Sequence, residues 1–164
     1  MKTLYLMRHA KSSWNFDDLS DRERPLNGRG RTDAPAMGEA LAKRHIQLDL
    51  LVSSPAVRAL STAALVASVL KYPHEKIQVV EKIYQADVND LMRVVHELPN
   101  EATSVLLVGH NNTITDFANL LSPSQIPEMT TAAIVCLRFN TDHWAHVDRT
   151  NSEYYFYDHP RDKE

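Results

Sequence analysis

The chain has a single cysteine, so no disulfide can form within it. Cys136 lies in the apolar run IVCL at residues 134–137, the setting of a buried, inert thiol rather than of a nucleophile. No stretch reaches the roughly 20 apolar residues that cross a bilayer. Residues 1–7 carry one lysine and then an apolar segment, without the apolar core and small-residue cleavage site of a secretory leader. The expected location is therefore cytoplasmic, with no membrane partner. A net charge of -3 with no basic block or stripe speaks against nucleic acid as a partner. Internal repeats, low-complexity segments and linkers are missing too, and no pattern specifies an assembly. With 43% apolar and 24% charged residues, the 164 residues are expected to form a single domain over 1–164.

What is present begins with LYLM at residues 4–7, a short apolar run of the kind that forms a buried strand. It stops abruptly at Arg8, His9 and Lys11. An imidazole and two cations at a strand end suggest an anion site. Residues 11–31 then form a polar segment of about 20 residues, longer than most connections and of the length that is often functional.

Ala34, Met37, Ala40 and Leu41 predict a helix over 32–45, starting near Thr32 so that Pro35 falls in its first turn. Residues 48–52 read as a second buried strand, ending in Ser53-Ser54-Pro55. That sequence is a helix-start signal, with Ser54 as N-cap and Pro55 at the first helical position. Arg58 then lies in the first turn of a helix running to about Lys71. A cation there opposes the helix dipole by roughly 0.3–1 kcal/mol, and a bound anion would explain it.

Residues 77–80 suggest a third strand, and Leu91, Val94, Val95 and Leu98 an amphipathic helix stopped by Pro99. Residues 104–108 are a strongly apolar fourth strand. His110 follows at the turn into a helix carrying Ile114, Phe117, Ala118 and Leu121. Residues 132–139 and 144–148 read as strands of a hairpin, and 154–157 as a last edge strand before a charged, frayed tail. Strands alternating with helices indicate an α/β fold with a mostly parallel central sheet, whose ligands bind beyond the carboxyl ends of the strands. Arg8-His9, residues 53–58 and His110 all follow strand ends and should meet on one rim.

Two histidines and several arginines on one rim suit phosphoryl transfer. Arginine offers phosphate a planar donor fork, and neutral imidazole attacks phosphorus. Flanking guanidiniums keep that imidazole unprotonated. A second, protonated imidazole would donate to the equatorial oxygens where transition-state charge spreads. Metal binding is not indicated: His143 and His146, read on a strand, would point to opposite faces, and no carboxylate motif joins them. His45, His74, His96 and His159 sit among polar residues and read as surface histidines.

Arg8-His9-Ala10 resembles the Arg-His-Gly signature of the histidine phosphatase (phosphoglycerate mutase-like) superfamily. Ser54-Pro55-Ala56-Val57-Arg58 resembles its second arginine motif, and Gly109-His110 its second histidine motif. RHAKSSW, then Asp21 with Arg24-Pro25-Leu26, is most similar to the short SixA-type phosphohistidine phosphatases. The resemblance implies a three-layer fold with helices on both faces of the sheet. It also implies a metal-independent phosphatase, with no cofactor, that works through a covalent phosphohistidine. His9 would be the nucleophile, with Arg8, Arg58 and His110 as catalytic phosphate-binding partners and Arg24 as a further pocket arginine. Asn15 matches a phosphate-contacting asparagine of the mutase branch.

Two departures bear on the chemistry. Ala10 stands where the signature has glycine. Ile83-Tyr84-Gln85-Ala86 stands where mutase-like members carry a glutamate proton donor, and Asn111 follows His110 where another branch has aspartate. Asp21 is the best replacement acid, with a salt bridge to Arg24 as its competing role. A missing acid favours a labile phosphoramidate, protein phosphohistidine, or a small phosphorylated metabolite with a good leaving group. Two other readings stand beside the hydrolase: a phosphoglycerate mutase-like phosphotransferase and a catalytically silent phosphate-binding module. The segments 11–31 and 130–133 are expected to frame the entrance.

Overall fold

The structure, a computed structural model, describes residues 1–161. Six strands form one sheet in the order β3-β2-β4-β1-β5-β6. These are β1 Lys2–Arg8, β2 Leu50–Ser53, β3 Gln78–Val79, β4 Ser104–Gly109, β5 Ile134–Phe139 and β6 Ser152–Asp158. The first four run parallel, β5 pairs antiparallel with β1, and β6 closes the edge antiparallel to β5.

Alternation along the strands creates two cores. Leu4 and Leu6 join Val105, Leu107, Val135 and Leu137 on one face, beneath α3 (Val88–His96) and α4 (Thr113–Leu121). Tyr5 and Met7 join Leu106, Val108, Ile134 and Cys136 on the other, beneath α1 (Gly28–Lys43) and α2 (Val57–Leu70). The three-layer α/β arrangement expected above is thus present, and Cys136 is buried as a free thiol.

Several local expectations are corrected. Helix α1 starts at Gly28, not near Thr32, and Pro35 lies inside it. Asn27 sets the start by accepting the Gly30 N–H at 2.9 Å. Proline leaves the Arg31 carbonyl without its helical donor, and that residue is exposed to water. Helix α2 starts two residues later than expected, with Ala56 as its N-cap. Ser54 stays strand-like because its N–H still bonds Val108 O at 3.1 Å, and Pro55 disfavours helical backbone before it.

No strand forms at residues 144–148. Trp144–His146 is a 3₁₀ turn, and the hairpin partner of β5 is β6. Trp144 and Val147 are buried three residues apart, and the Trp144 indole N–H donates to Ala102 O at 2.7 Å. Turn spacing therefore wins over strand alternation. It also brings the His143 and His146 rings within 5.2 Å of each other instead of onto opposite faces. The tail begins after Asp158, and its residues 162–164 lie outside the described residues.

Gly30 makes a prediction about this frame. A Cβ there would sit 2.2 Å from Lys11 O and 3.0 Å from Lys11 N, both main-chain atoms. Gly30→Ala must push the loop after β1 away from α1. We expect a loss of about 1–3 kcal/mol in urea unfolding, the usual penalty for overpacking. Because that loop carries Ser12 and Ser13, phosphate affinity should fall as well.

Candidate active site

Strand register assembles the site. Arg8 pairs with Gly109 across β1 and β4, so the next residues, His9 and His110, leave the sheet side by side. Their ring centroids are 5.3 Å apart. Ser53 pairs with Val108 across β2 and β4, which delivers Ser54 and the start of α2 to the same rim. There the Ser54 hydroxyl lies 2.7 Å from His110 Nε2.

The His9 ring is buried, and its Nδ1 lies 2.7 Å from Ala10 O. A carbonyl only accepts, so Nδ1 carries the proton and Nε2 keeps the lone pair. The backbone around it is held on three sides. His9 N–H donates to Gly109 O (3.0 Å) and Ala10 N–H to Thr62 Oγ1 (2.9 Å). Ala132 N–H lies 3.1 Å from both Arg8 O and His9 O. Thr62 is one helical turn beyond Arg58 on α2, so its spacing was the available signal for it.

A cavity of about 540 Å³ opens in front of His9. Arg8, Arg24, Arg58, His110 and Asn15 all line it, as do Lys11, Trp14 and Thr131, so segments 11–31 and 130–133 do frame the entrance. Among the described residues it has four cationic side chains (Arg8, Lys11, Arg24, Arg58) and no carboxylate. Such a cavity selects an anion.

Each arginine is anchored. Arg8 donates to Met129 O at 2.9 Å, and Arg24 to Ser12 Oγ and Ser13 O at 3.0 and 3.2 Å. Arg58 donates to Asp21 O and Asp21 Oδ2 at 2.6 and 3.0 Å. Among the described residues four buried side-chain nitrogens have no hydrogen-bond partner, and three of them are Arg8 Nε, Arg58 Nε and His110 Nδ1. Unpaired buried polar atoms are costly, and their clustering around one cavity marks a site that phosphate oxygens would complete.

Burial pushes the His9 imidazole down to about 3; its Ala10 hydrogen bond opposes this, and His110, Arg58 and Arg8 add to it. Burial likewise takes His110 down to about 4, helped by Arg58, Arg24 and Arg8 and opposed by Asp21. Both rings are therefore neutral near pH 7 before an anion binds. In an unfolded chain each would take a proton near 6.5. Below that pH the unfolded state binds more protons, so stability is full above about 6.5 and falls as pH drops toward 4. Urea midpoints in phosphate-free buffer should decline over that window. The ring signals of His9 and His110 should not titrate in NMR between about pH 8 and 5.

Asp21 lies outside the main cavity, beside a smaller one of about 190 Å³ that it shares with Arg58, Tyr84 and His110. Burial alone would raise its carboxyl, but hydrogen bonds from Tyr84 (2.8 Å), Arg58 (3.0 Å) and Arg24 (3.2 Å) outweigh that and hold it at about 2. A carboxylate so paired has no proton to give near neutrality. The salt-bridge role weighed for Asp21 fits this geometry, and the proton-donor role does not. Tyr84 went unrecognised in the sequence because it stood only as a missing glutamate. It packs edge-on against His110, with centroids 5.7 Å apart. The neighbouring Glu81 is exposed and taken up by Arg22.

The comparisons with known proteins agree with this geometry. A family model described as the histidine phosphatase superfamily (branch 1) matches residues 4–89, more than half of the chain. The chain belongs to that superfamily. Phosphohistidine phosphatase SixA of Escherichia coli K12 is a relative, 29% identical over 133 residues, which is 80% of this chain and 81% of that protein. An uncharacterized protein of Mycobacterium leprae is 32% identical over 121 residues, 72% of each chain. Among solved structures, a putative phosphohistidine phosphatase SixA from Nakamurella multipartitia superposes with a TM-score of 0.82 at 26% identity, covering 97% of this chain and 96% of that one. The histidine phosphatase match extends from β1 to the start of α3 and so includes His9, Arg24 and Arg58.

Among the described residues, no group of three His, Cys, Asp or Glu side chains is arranged to hold a metal ion. No helix among them is long and apolar enough to cross a membrane.

Proposed function

We propose that this chain is a cytosolic, metal-independent phosphatase that hydrolyses phosphohistidine in a partner protein through a phosphohistidine of its own at His9. The observation that carries this reading is the His9 ring itself. Its Nδ1–H is spent on Ala10 O, so the nucleophilic Nε2 belongs to a ring that lines a cavity of four cations. The relative named for this activity, SixA, supports the substrate class. The lone buried thiol suits the cytosol.

In the first step the His9 Nε2–P bond forms as the substrate's P–N bond breaks. The departing imidazole leaves neutral when its other ring nitrogen already carries a proton, so no acid is needed at the leaving atom. Arg8, Arg24 and Arg58 balance the charge on the phosphoryl oxygens. The approaching dianion favours protonated His110, which then donates to an equatorial oxygen. Transfer between two imidazoles is nearly balanced in energy. In the second step water attacks phosphorus and the His9 Nε2–P bond breaks, its electron pair returning to a neutral ring that keeps its Nδ1 proton. Both protons of the water leave with inorganic phosphate, as dihydrogen phosphate or with one passed to solvent.

The lack of an available carboxylic acid favours this substrate over a sugar or glycerol phosphate, whose alkoxide must be protonated as it leaves. General acid catalysis is worth about 10²–10⁴-fold. With EDTA present, a phosphohistidine-bearing protein should be turned over about 10²-fold or more faster than glycerol phosphate. Equal rates on the two, or a strict need for added metal, would overturn the proposal. Phosphate binding without turnover of either would identify a silent module.

A further inference from the structure

Trp14 is 75% exposed, more than any other large apolar side chain described. It is nevertheless held in place. The Arg24 guanidinium lies 3.4 Å from the centre of its ring, and Arg24 is itself only 8% exposed. Ser12, Ser13 and Asp21 fix that guanidinium in turn. Covering Arg24 uses one part of the indole. The rest is open to solvent and forms part of the wall of the cavity that contains His9. An ordered aromatic surface left bare beside an anion pocket has one obvious chemical use, which is to receive a flat ring attached to that anion.

We infer that Trp14 is a specificity residue, a platform for a planar aromatic or heteroaromatic ring bonded directly to the phosphoryl group. The phosphate would sit among Arg8, Arg58 and His110 while the ring stacks on the indole. An imidazole bonded through nitrogen and a phenol bonded through oxygen both present such a ring, and an alkyl phosphate does not. Where turnover is concerned this inference rests on the hydrolase reading, but the recognition itself does not need catalysis.

Phosphonates test it without chemistry, because their C–P bond is not hydrolysed. In calorimetric titrations the native protein should bind phenylphosphonate about 3- to 10-fold more tightly than cyclohexylphosphonate, the scale of one aromatic pair. Trp14→Ala should erase that preference, and Trp14→Phe should keep most of it. Equal weakening of phosphate and both phosphonates by Trp14→Ala would mean that the indole only steadies Arg24, and would overturn the inference. So would a preference that survives the substitution. A Trp14-dependent preference in a protein that hydrolyses nothing would uphold the platform and overturn the hydrolase. For an active protein, phosphoimidazole and phenyl phosphate distinguish the two ring sources by their relative kcat/KM. Each substrate that is turned over should lose about 3- to 10-fold in Trp14→Ala; a loss for neither would overturn the inference.

Discussion

His9→Ala is expected to reduce turnover of a phosphohistidine substrate by about 10⁴-fold or more, to the background of hydrolysis by water. Two features set the size of the effect. In the hydrolase reading the covalent route has a single attacking atom, Nε2. His110 is assigned instead to donating to a phosphoryl oxygen, its Nε2 lying 2.7 Å from Ser54 Oγ, and Ser12 and Ser13 have no adjacent base within the hydrogen bonds they make. The same substitution should remove the phosphoenzyme. Rapid quenching of the native protein should trap phosphate on the chain in a form lost in acid and kept in base, as a phosphoramidate is. The alanine variant should trap none, yet still bind inorganic phosphate, because Arg8, Arg24 and Arg58 are anchored by groups other than His9. A trapped phosphoryl group that survived His9→Ala would move the nucleophile elsewhere.

Arg58→Ala is expected to cost about 10²–10³-fold in kcat, the effect of removing one donor aimed at transition-state charge. Arg58 sits in the first turn of α2, where a cation is unfavourable to the helix. Its guanidinium is buried, with Nη1 on Asp21 O and Nη2 on Asp21 Oδ2. That clamp holds the guanidinium in one plane at the cavity wall, with its buried Nε unpaired. Arg58→Lys should recover little of the loss, because an ammonium group satisfies neither the Asp21 clamp nor a bidentate phosphate at once. Steady-state kinetics with a melting curve for each variant checks this. A loss confined to KM would show that Arg58 binds substrate and transition state equally.

Much of the site was legible because strand ends in a parallel sheet converge. Arg8-His9, Arg58 and His110 each follow an apolar strand-like run, and the register of β1, β4 and β2 does bring them together. Asn15 and Arg24 were found by motif and both line the cavity. Two of the misreadings share one cause. Ser54 turns to His110 instead of capping a helix, and Trp144 makes a turn toward Ala102, because in each case a distant partner outbids the local preference. The early start of α1 has a local cause, the Asn27 cap on the Gly30 N–H.

Asp21 is the instructive residue. From the sequence it was an acid near an arginine, equally suited to donating a proton or to pairing. Arg58 lies 37 residues away and Tyr84 lies 63 away, and both reach its Oδ2. No local pattern encodes that meeting.

The order of apolar runs, turns and charged strand ends was thus enough to determine an α/β chain whose rim gathers Arg8, His9, Arg58 and His110, while the nucleophilic role proposed for His9 came from the family resemblance. Tertiary structure alone decided that Asp21 is clamped by Arg58 and Tyr84 and that Trp14 stands uncovered at the rim. Both depend on contacts and burial between segments far apart in the chain, whereas the free nitrogen of His9 is set by the carbonyl of its neighbour Ala10.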